Sequence, residues 1–188
     1  MKQQAKEFAT IAHQGQYRKS SKTPYITHPV RVAGRLEQSG FPDRLVCAGY
    51  LHDVVEDTMY EAKDIEHRFG QRIAHLVAEH TEDKSKSWEE RKQHTIETVR
   101  DAEKEVKYLI VADKLDNLLA LEKDMERLGN NIWQHFNAGY DKQKWYHQSI
   151  ARNMYTGLSK NEVPPYFHEF EIAVSRVFNQ DQSTRNKY

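Results

Sequence analysis

Apolar residues recur along this chain at helical spacing nearly everywhere. Ala5, Phe8, Ala9 and Ala12 fall at i, i+3, i+4 and i+7, predicting a first helix that ends near "HQGQ". "YRKSSKTPYITHP" reads as a basic loop, because the residue before each of its prolines is biased away from helix. Pro29 opens a second helix with Val30, Val32, Ala33 and Leu36, closed around Ser39-Gly40. Pro42 and Asp43 start a third, whose Leu45, Val46, Ala48 and Leu51 lead into the helical stretch "YLHDVVEDTM". "DIEHRFGQRIAHLVAEHT" forms one or two amphipathic helices with Gly70 as the break, and "SWEERKQHTIETVRDA" is polar enough for a surface helix. "EVKYLIVADKLDNLLALEKD" is strongly apolar, with Val106, Ile110, Leu118 and Leu121 on or near one face. Gly129-Asn130-Asn131 punctuates it before the helix "GYDKQKWYHQSIARNMYTGL". After Pro164-Pro165 a last helix carries Phe167, Phe170, Val174, Val177 and Phe178. No segment alternates at period two and there is no internal repeat, so the expected fold class is all-α. Residues 1–180 are read as one domain, with 181–188 a frayed tail.

Composition narrows the setting. A chain of 188 residues suits a single domain with a real core. Lys+Arg and Asp+Glu both total 28, so no net field recruits nucleic acid or an anionic membrane surface. No run of about 18 apolar residues offers a membrane span, and the start "MKQQAKEFAT" lacks the apolar core of a signal peptide. The single cysteine, Cys47, excludes an internal disulfide framework, suits a reducing cytoplasm and is read as a small core residue.

Candidate chemistry begins in "YLHDVVEDTM". His52 and Glu56 are four apart, as are Asp53 and Asp57, so the two pairs form neighbouring stripes on one side of a helix. Taken alone they are better read as a solvated polar face. Two other segments change that. "TPYITHP" holds His28 between a proline-fixed loop and a helix start, and "LIVADKLDN" sets Asp113 in an apolar run where a bare carboxylate is costly to bury. Asn117 lies one turn beyond Asp113 on the same face. Two imidazoles and two carboxylates make a mixed nitrogen and oxygen shell, with positions left for water and substrate, that suits manganese, iron or zinc. His13, His67, His75, His80, His94, His135, His147 and His168 show no paired ligand spacing and are assigned surface or capping roles. Lys84, Lys86, Arg91 and Lys92 could reach a pyrophosphate from a mobile loop, but a charge run is usually a solvated face and they are read so; Trp133, Trp145, Tyr146 and Tyr155 read as helix packing.

"AHQGQYRKSSKTPYITHPVRVA", "YLHDVVEDT" and "VADKLDNL" occur in the order and approximate spacing of the hydrolase domain of RelA/SpoT-type alarmone enzymes. From about Ala9 to Leu121 the chain resembles that family, in its small, stand-alone, Mesh1-like form. The family belongs to the HD superfamily of metal-dependent phosphohydrolases. The resemblance implies an HD-type helical bundle with a metal site between helices, and ligation of manganese by His28, His52, Asp53 and Asp113. It implies Glu56 and Asp57 as the catalytic pair that orients and activates the attacking water. Arg18 and Lys19 would flank the nucleotide base and phosphates, and Asn117 would contact the nucleotide. Asp116 and Leu119 depart from the pattern, where many members carry an aromatic or histidine and an arginine, and bear on contacts to the nucleotide. The reaction implied removes the 3′-pyrophosphate of guanosine tetra- or pentaphosphate, giving GDP or GTP. Synthetase activity is not expected, because that domain needs a further long segment. Within the same class, adenosine alarmones or the 2′-phosphate of NADPH are the alternative substrates. A nucleotide-binding regulator without turnover would have no use for Glu56 and Asp57.

Overall fold

The structure, a computed structural model, describes residues 1–18 and 22–178, and of Asn130 the backbone alone. Lys19 and the tail 181–188 lie outside the described residues.

Helix α8 (Lys104–Leu128) forms the axis of the bundle. Its middle turns are buried on every side, through Val106, Leu109, Ile110, Val111, Ala112, Leu115, Leu118 and Leu121, rather than along one face. A helix apolar all round is a core helix. Around it pack α2 (Thr27–Gln38), α3 (Asp43–Leu51), α6 (Gln71–His80), α7 (Trp88–Asp101) and α10 (Pro165–Phe178). Helix α1 (Lys2–Ala12) closes over α3 with Ala5, Phe8 and Ala9, and α9 (Tyr140–Asn153) bridges α7 and α10. A short α4 (Val54–Asp57) and α5 (Ala62–Phe69) complete the described helices, with a 3₁₀ segment over Gly129–His135. Between α1 and α2, one antiparallel bridge joins Tyr17 to Pro24. No strand longer than that bridge occurs among the described residues.

Local signals explain the boundaries. Gly70 (φ +87°) makes the corner between α5 and α6, a conformation that costs a glycine nothing. Ser87 and Glu90 form a reciprocal capping box that starts α7. Helix α2 begins at Thr27, two residues before Pro29, because a proline in the first turn removes only an N–H that has no intrahelical partner.

Helices α2 and α3 approach closely at Gly49. A Cβ on Gly49 would lie 2.9 Å from Ala33 Cα and 2.9 Å from Leu36 Cδ1. Only a glycine lets the helices meet this closely. The contact buries Val32, Ala33, Leu36, Leu45, Val46 and Ala48 completely. Each leucine-sized side chain so buried stabilises the fold by about 1.5–3 kcal/mol, which offsets the cost of the polar cluster at its end.

Candidate metal centre and its cleft

The helix expected to run through "YLHDVVEDTM" stops at Leu51, and α4 resumes at Val54. His52 and Asp53 form the turn between, with Asp53 at φ −96°, ψ −4°. Adjacent residues on an ideal helix point about 100° apart, so this turn is what lets both side chains aim at one spot. His28 joins them from the first turn of α2, and Asp113 from the buried middle of α8.

His28, His52 and Asp113 offer ligand atoms that lie within 4.8 Å of one another. The two Nε2 atoms are 3.2 Å apart. Asp113 Oδ1 is 3.1 Å from His28 Nε2 and 3.7 Å from His52 Nε2. Asp53 Oδ2 is 3.5 Å from His28 Nε2 and 3.1 Å from His52 Nε2.

Hydrogen bonding on the far side of each ring fixes what faces the centre. His52 Nδ1 lies 2.9 Å from the Gly49 carbonyl oxygen, which only accepts, so this nitrogen is the donor. His28 Nδ1 lies 2.6 Å from Asp116 Oδ2, and Arg31 grips that carboxylate through Nε (2.6 Å) and Nη2 (2.9 Å). In the neutral rings both Nε2 lone pairs therefore converge, alongside two carboxylate oxygens, in a buried space. Four electron-rich atoms so placed repel unless they share a cation. Donors held about 2.0–2.2 Å from a single ion are about 3.0–3.6 Å apart; four of these separations fall in that range, and His52 to Asp113 at 3.7 Å lies just beyond it. The donor set fits a divalent ion.

The electrostatics agree. Burial opposes protonation of His52, yet Asp53 and Asp113 outweigh it and hold the imidazole well above its ordinary value. Burial opposes ionisation of Asp53 and Asp113. The His52 imidazole beside Asp53, and the Lys114 ammonium beside Asp113, nevertheless hold both carboxyls far below the usual range. The pocket is built to hold positive charge.

Above the cluster opens a cleft of about 450 Å³. Asp57 stands on its wall, its Oδ1 2.7 Å from Lys84 Nζ and its Oδ2 3.3 Å from the Tyr25 hydroxyl. The same hydroxyl donates to Asp53 Oδ2 at 2.7 Å. Glu56 accepts the Glu82 backbone N–H at 3.2 Å, and burial pushes its carboxyl above the ordinary value although Lys114 opposes this. Glu82 in turn pairs with Lys92 (2.6 Å) and Arg91 (3.3 Å). Asn117 donates to Asp113 Oδ1 at 2.6 Å and accepts from Arg18 Nη2 at 2.8 Å. The Arg18 guanidinium sits 5.6 Å over the Tyr25 ring.

The structure thus gathers every site residue named from sequence, apart from Lys19, around one centre and cleft. It also corrects several assignments. His80 is buried and its Nε2 lies 2.8 Å from Asp113 Oδ2, so it belongs to the site rather than the surface. His147 is buried as well, bonded to the Gln143 carbonyl, whereas His13 caps the C-terminus of α1 in keeping with the capping role, buried and bonded to Gln16. Arg91 and Lys92 line the cleft, their side chains 19% and 17% exposed, instead of forming a solvated face. Asp116 bonds His28 and Arg31 and does not line the cleft, and Leu119 packs on the core. Trp145 is 40% exposed and with Trp88 lines a groove of about 660 Å³ between α7 and α9, which holds none of the donor atoms. Cys47 is a core residue, as expected. Sequence signals for the missed residues are thin: Tyr25 precedes His28 by three positions and Lys114 follows Asp113, but nothing marks His80.

The HD domain family model matches residues 5–141. A guanosine-3′,5′-bis(diphosphate) 3′-pyrophosphohydrolase MESH1 of Xenopus tropicalis is 41% identical over 133 residues, 69% of this chain and 72% of that protein. Its Homo sapiens counterpart is 39% identical over the same extent. A crystal structure from Listeria monocytogenes EGD-e superposes with a TM-score of 0.78 at 49% identity, covering 84% of this chain and 97% of that one. The structure of a metazoan ortholog of SpoT that hydrolyses ppGpp superposes with a TM-score of 0.75 at 28% identity, covering 96% and 95%.

Proposed function

The chain belongs to the HD domain family, and on that premise we propose that it hydrolyses the 3′-pyrophosphate of guanosine tetra- and pentaphosphate, yielding GDP or GTP and pyrophosphate. One observation carries the metal-dependent part: two imidazole lone pairs face each other at 3.2 Å, flanked by the oxygens of Asp53 and Asp113. His28, His52, Asp53 and Asp113 hold the ion, manganese in this reading. When bound, it supplies Lewis acidity and lowers the pKa of a coordinated water to near neutrality.

The residues of the chain do the rest. Glu56 is the proton acceptor for the attacking water, because the burial that pushes its carboxyl up makes its carboxylate a stronger base. Asp57, tied to Tyr25 and Lys84, orients that water. The water oxygen bonds to the phosphorus that carries O3′, the bond from that phosphorus to O3′ breaks, O3′ leaves as the 3′-hydroxyl with the proton that Glu56 took from the water, and the pyrophosphate so formed is released. Lys84, Arg91 and Lys92 meet its charge from the cleft wall. Arg18, Lys19 and Asn117 hold the nucleotide, with the planar guanidinium of Arg18 against the base. The substrate is a small nucleotide rather than a nucleic acid or a membrane surface. No helix among the described residues is long and apolar enough to cross a membrane, and the buried, unpaired Cys47 suits a reducing cytoplasm.

The test is incubation of purified, manganese-loaded protein with ppGpp, followed by chromatography. Pyrophosphate and GDP in equal amounts are expected. No release, or faster turnover of adenosine alarmones or NADPH at equal concentration, would sink the guanine reading.

A further inference from the structure

Asp113 divides its oxygens between two tasks. Oδ1 faces the imidazole pair, 3.1 Å from His28 Nε2. Oδ2 is turned away, 2.8 Å from His80 Nε2 and 2.6 Å from Lys114 Nζ. His80 is the last residue of α6, its side chain 3% exposed, and its ring stands edge-on to His52 at 4.7 Å between centroids. Its Nδ1 is buried without a partner. A carboxylate only accepts, so the one N–H of the neutral His80 ring sits on Nε2 and Nδ1 keeps a bare lone pair. Buried polar atoms of that kind are few in folded proteins, and each calls for an explanation. A leucine would fill this space with no such defect. Lys114 alone does not make the histidine redundant, since a flexible stem carrying a point charge fixes no direction, whereas a planar ring wedged against His52 does.

We propose that His80 is a positioning residue: by holding Oδ2 it confines Asp113 to the centre through Oδ1 alone, which keeps a coordination position open for water and substrate. The role lies beyond the four donors and rests on the metal-dependent reading above. Released from His80, the carboxylate would turn and chelate through both oxygens, and the open position would be filled.

Two amides of different reach test this. In His80→Gln the side-chain amide nitrogen falls about where Nε2 stands, while in His80→Asn it stops short of Asp113. Each variant is loaded with Co²⁺ as the probe. Visible absorption, which weakens as the coordination number of Co²⁺ rises, is read together with affinity by chelator competition. His80→Gln is expected to keep the parent spectrum and affinity. His80→Asn is expected to absorb more weakly and to lose about 10–100-fold in affinity, the usual cost of removing a partner that orients a ligand. Identical spectra and affinities in the two variants, whether both intact or both impaired, overturn the proposal. Should His80→Asn fail to fold by circular dichroism, His80→Met, which fills the space without a donor, takes its place under the same criterion. Cobalt binding is read without nucleotide, so a parent chain that binds Co²⁺ but spares ppGpp would sink the proposed reaction and leave the role of His80 standing.

Discussion

The floor of the site and its mouth satisfy their charges in opposite ways. On the floor, His28 leans on Asp116 and Arg31, His52 on the Gly49 carbonyl, and Asp113 on His80, Lys114 and Asn117. These supports come from α2, α3, α6 and α8; those that touch the imidazoles directly, Asp116 and the Gly49 carbonyl, are buried, as is His80. At the mouth the cations and carboxylates neutralise one another: Lys84 with Asp57, and Lys92 and Arg91 with Glu82. Lys84 is half exposed there. The difference separates preorganisation from availability. The floor is set before anything binds, whereas the basic groups of the mouth are free to change partners when an anion arrives.

The comparison is broken most severely by removing a floor donor. His52→Ala or Asp53→Ala is expected to leave the chain without stoichiometric metal, measured by mass spectrometry of the desalted protein, and with no detectable turnover. Full metal content and normal turnover in His52→Ala would mean that the donor set is wrong. Next comes Glu56→Gln with Asp57→Asn, which keeps shape but removes the proton acceptor. It should bind metal and nucleotide normally while kcat falls about 10²–10⁴-fold. Loss of the metal instead would move both carboxylates to the floor. Asp116→Asn should weaken metal binding about 10–100-fold through His28, without touching the cleft. A chelator competition in which it matches the parent would leave Asp116 a mere partner of Arg31.

Lys92→Met belongs to the mouth. It should raise KM for ppGpp several-fold with little change in metal affinity, and the parent's KM should climb with added salt more steeply than the variant's. The smallest effect is on stability. Burial raises Glu56 above its ordinary value of 4.5, so its ionised form is disfavoured in the fold, and this cost appears as pH rises above that value. In chelator-treated protein, Glu56→Gln should therefore melt at a slightly higher temperature than the parent at pH 7, and at the same temperature near pH 4. The opposite sign would mean that Glu56 is stabilised as an anion.

Most helices were legible because their apolar period is local, and the floor donors because histidine and carboxylate stand out in apolar runs. Contacts closed through space were not. His28 and Asp116 are 88 positions apart, and His80 and Asp113 are 33 apart. No periodicity encodes such pairings, so Asp116 reads as a departure and His80 as a surface or capping residue. The interruption at His52 and Asp53 was also hidden, since both have ordinary helical neighbours in sequence and the turn keeps the bond from Asp57 N to Asp53 O at 2.9 Å.

Gly49 links the bundle to ionic size. His28 rides on α2, and His52 hangs from the Gly49 carbonyl at the end of α3, so one imidazole stands on each side of the contact that the missing methyl permits. The spacing of two helices is therefore also the jaw width of a gauge, closed to 3.2 Å between the nitrogen tips. An alanine at this position would prise the jaws apart from three residues before His52, and the smallest cations would be the first to lose their grip.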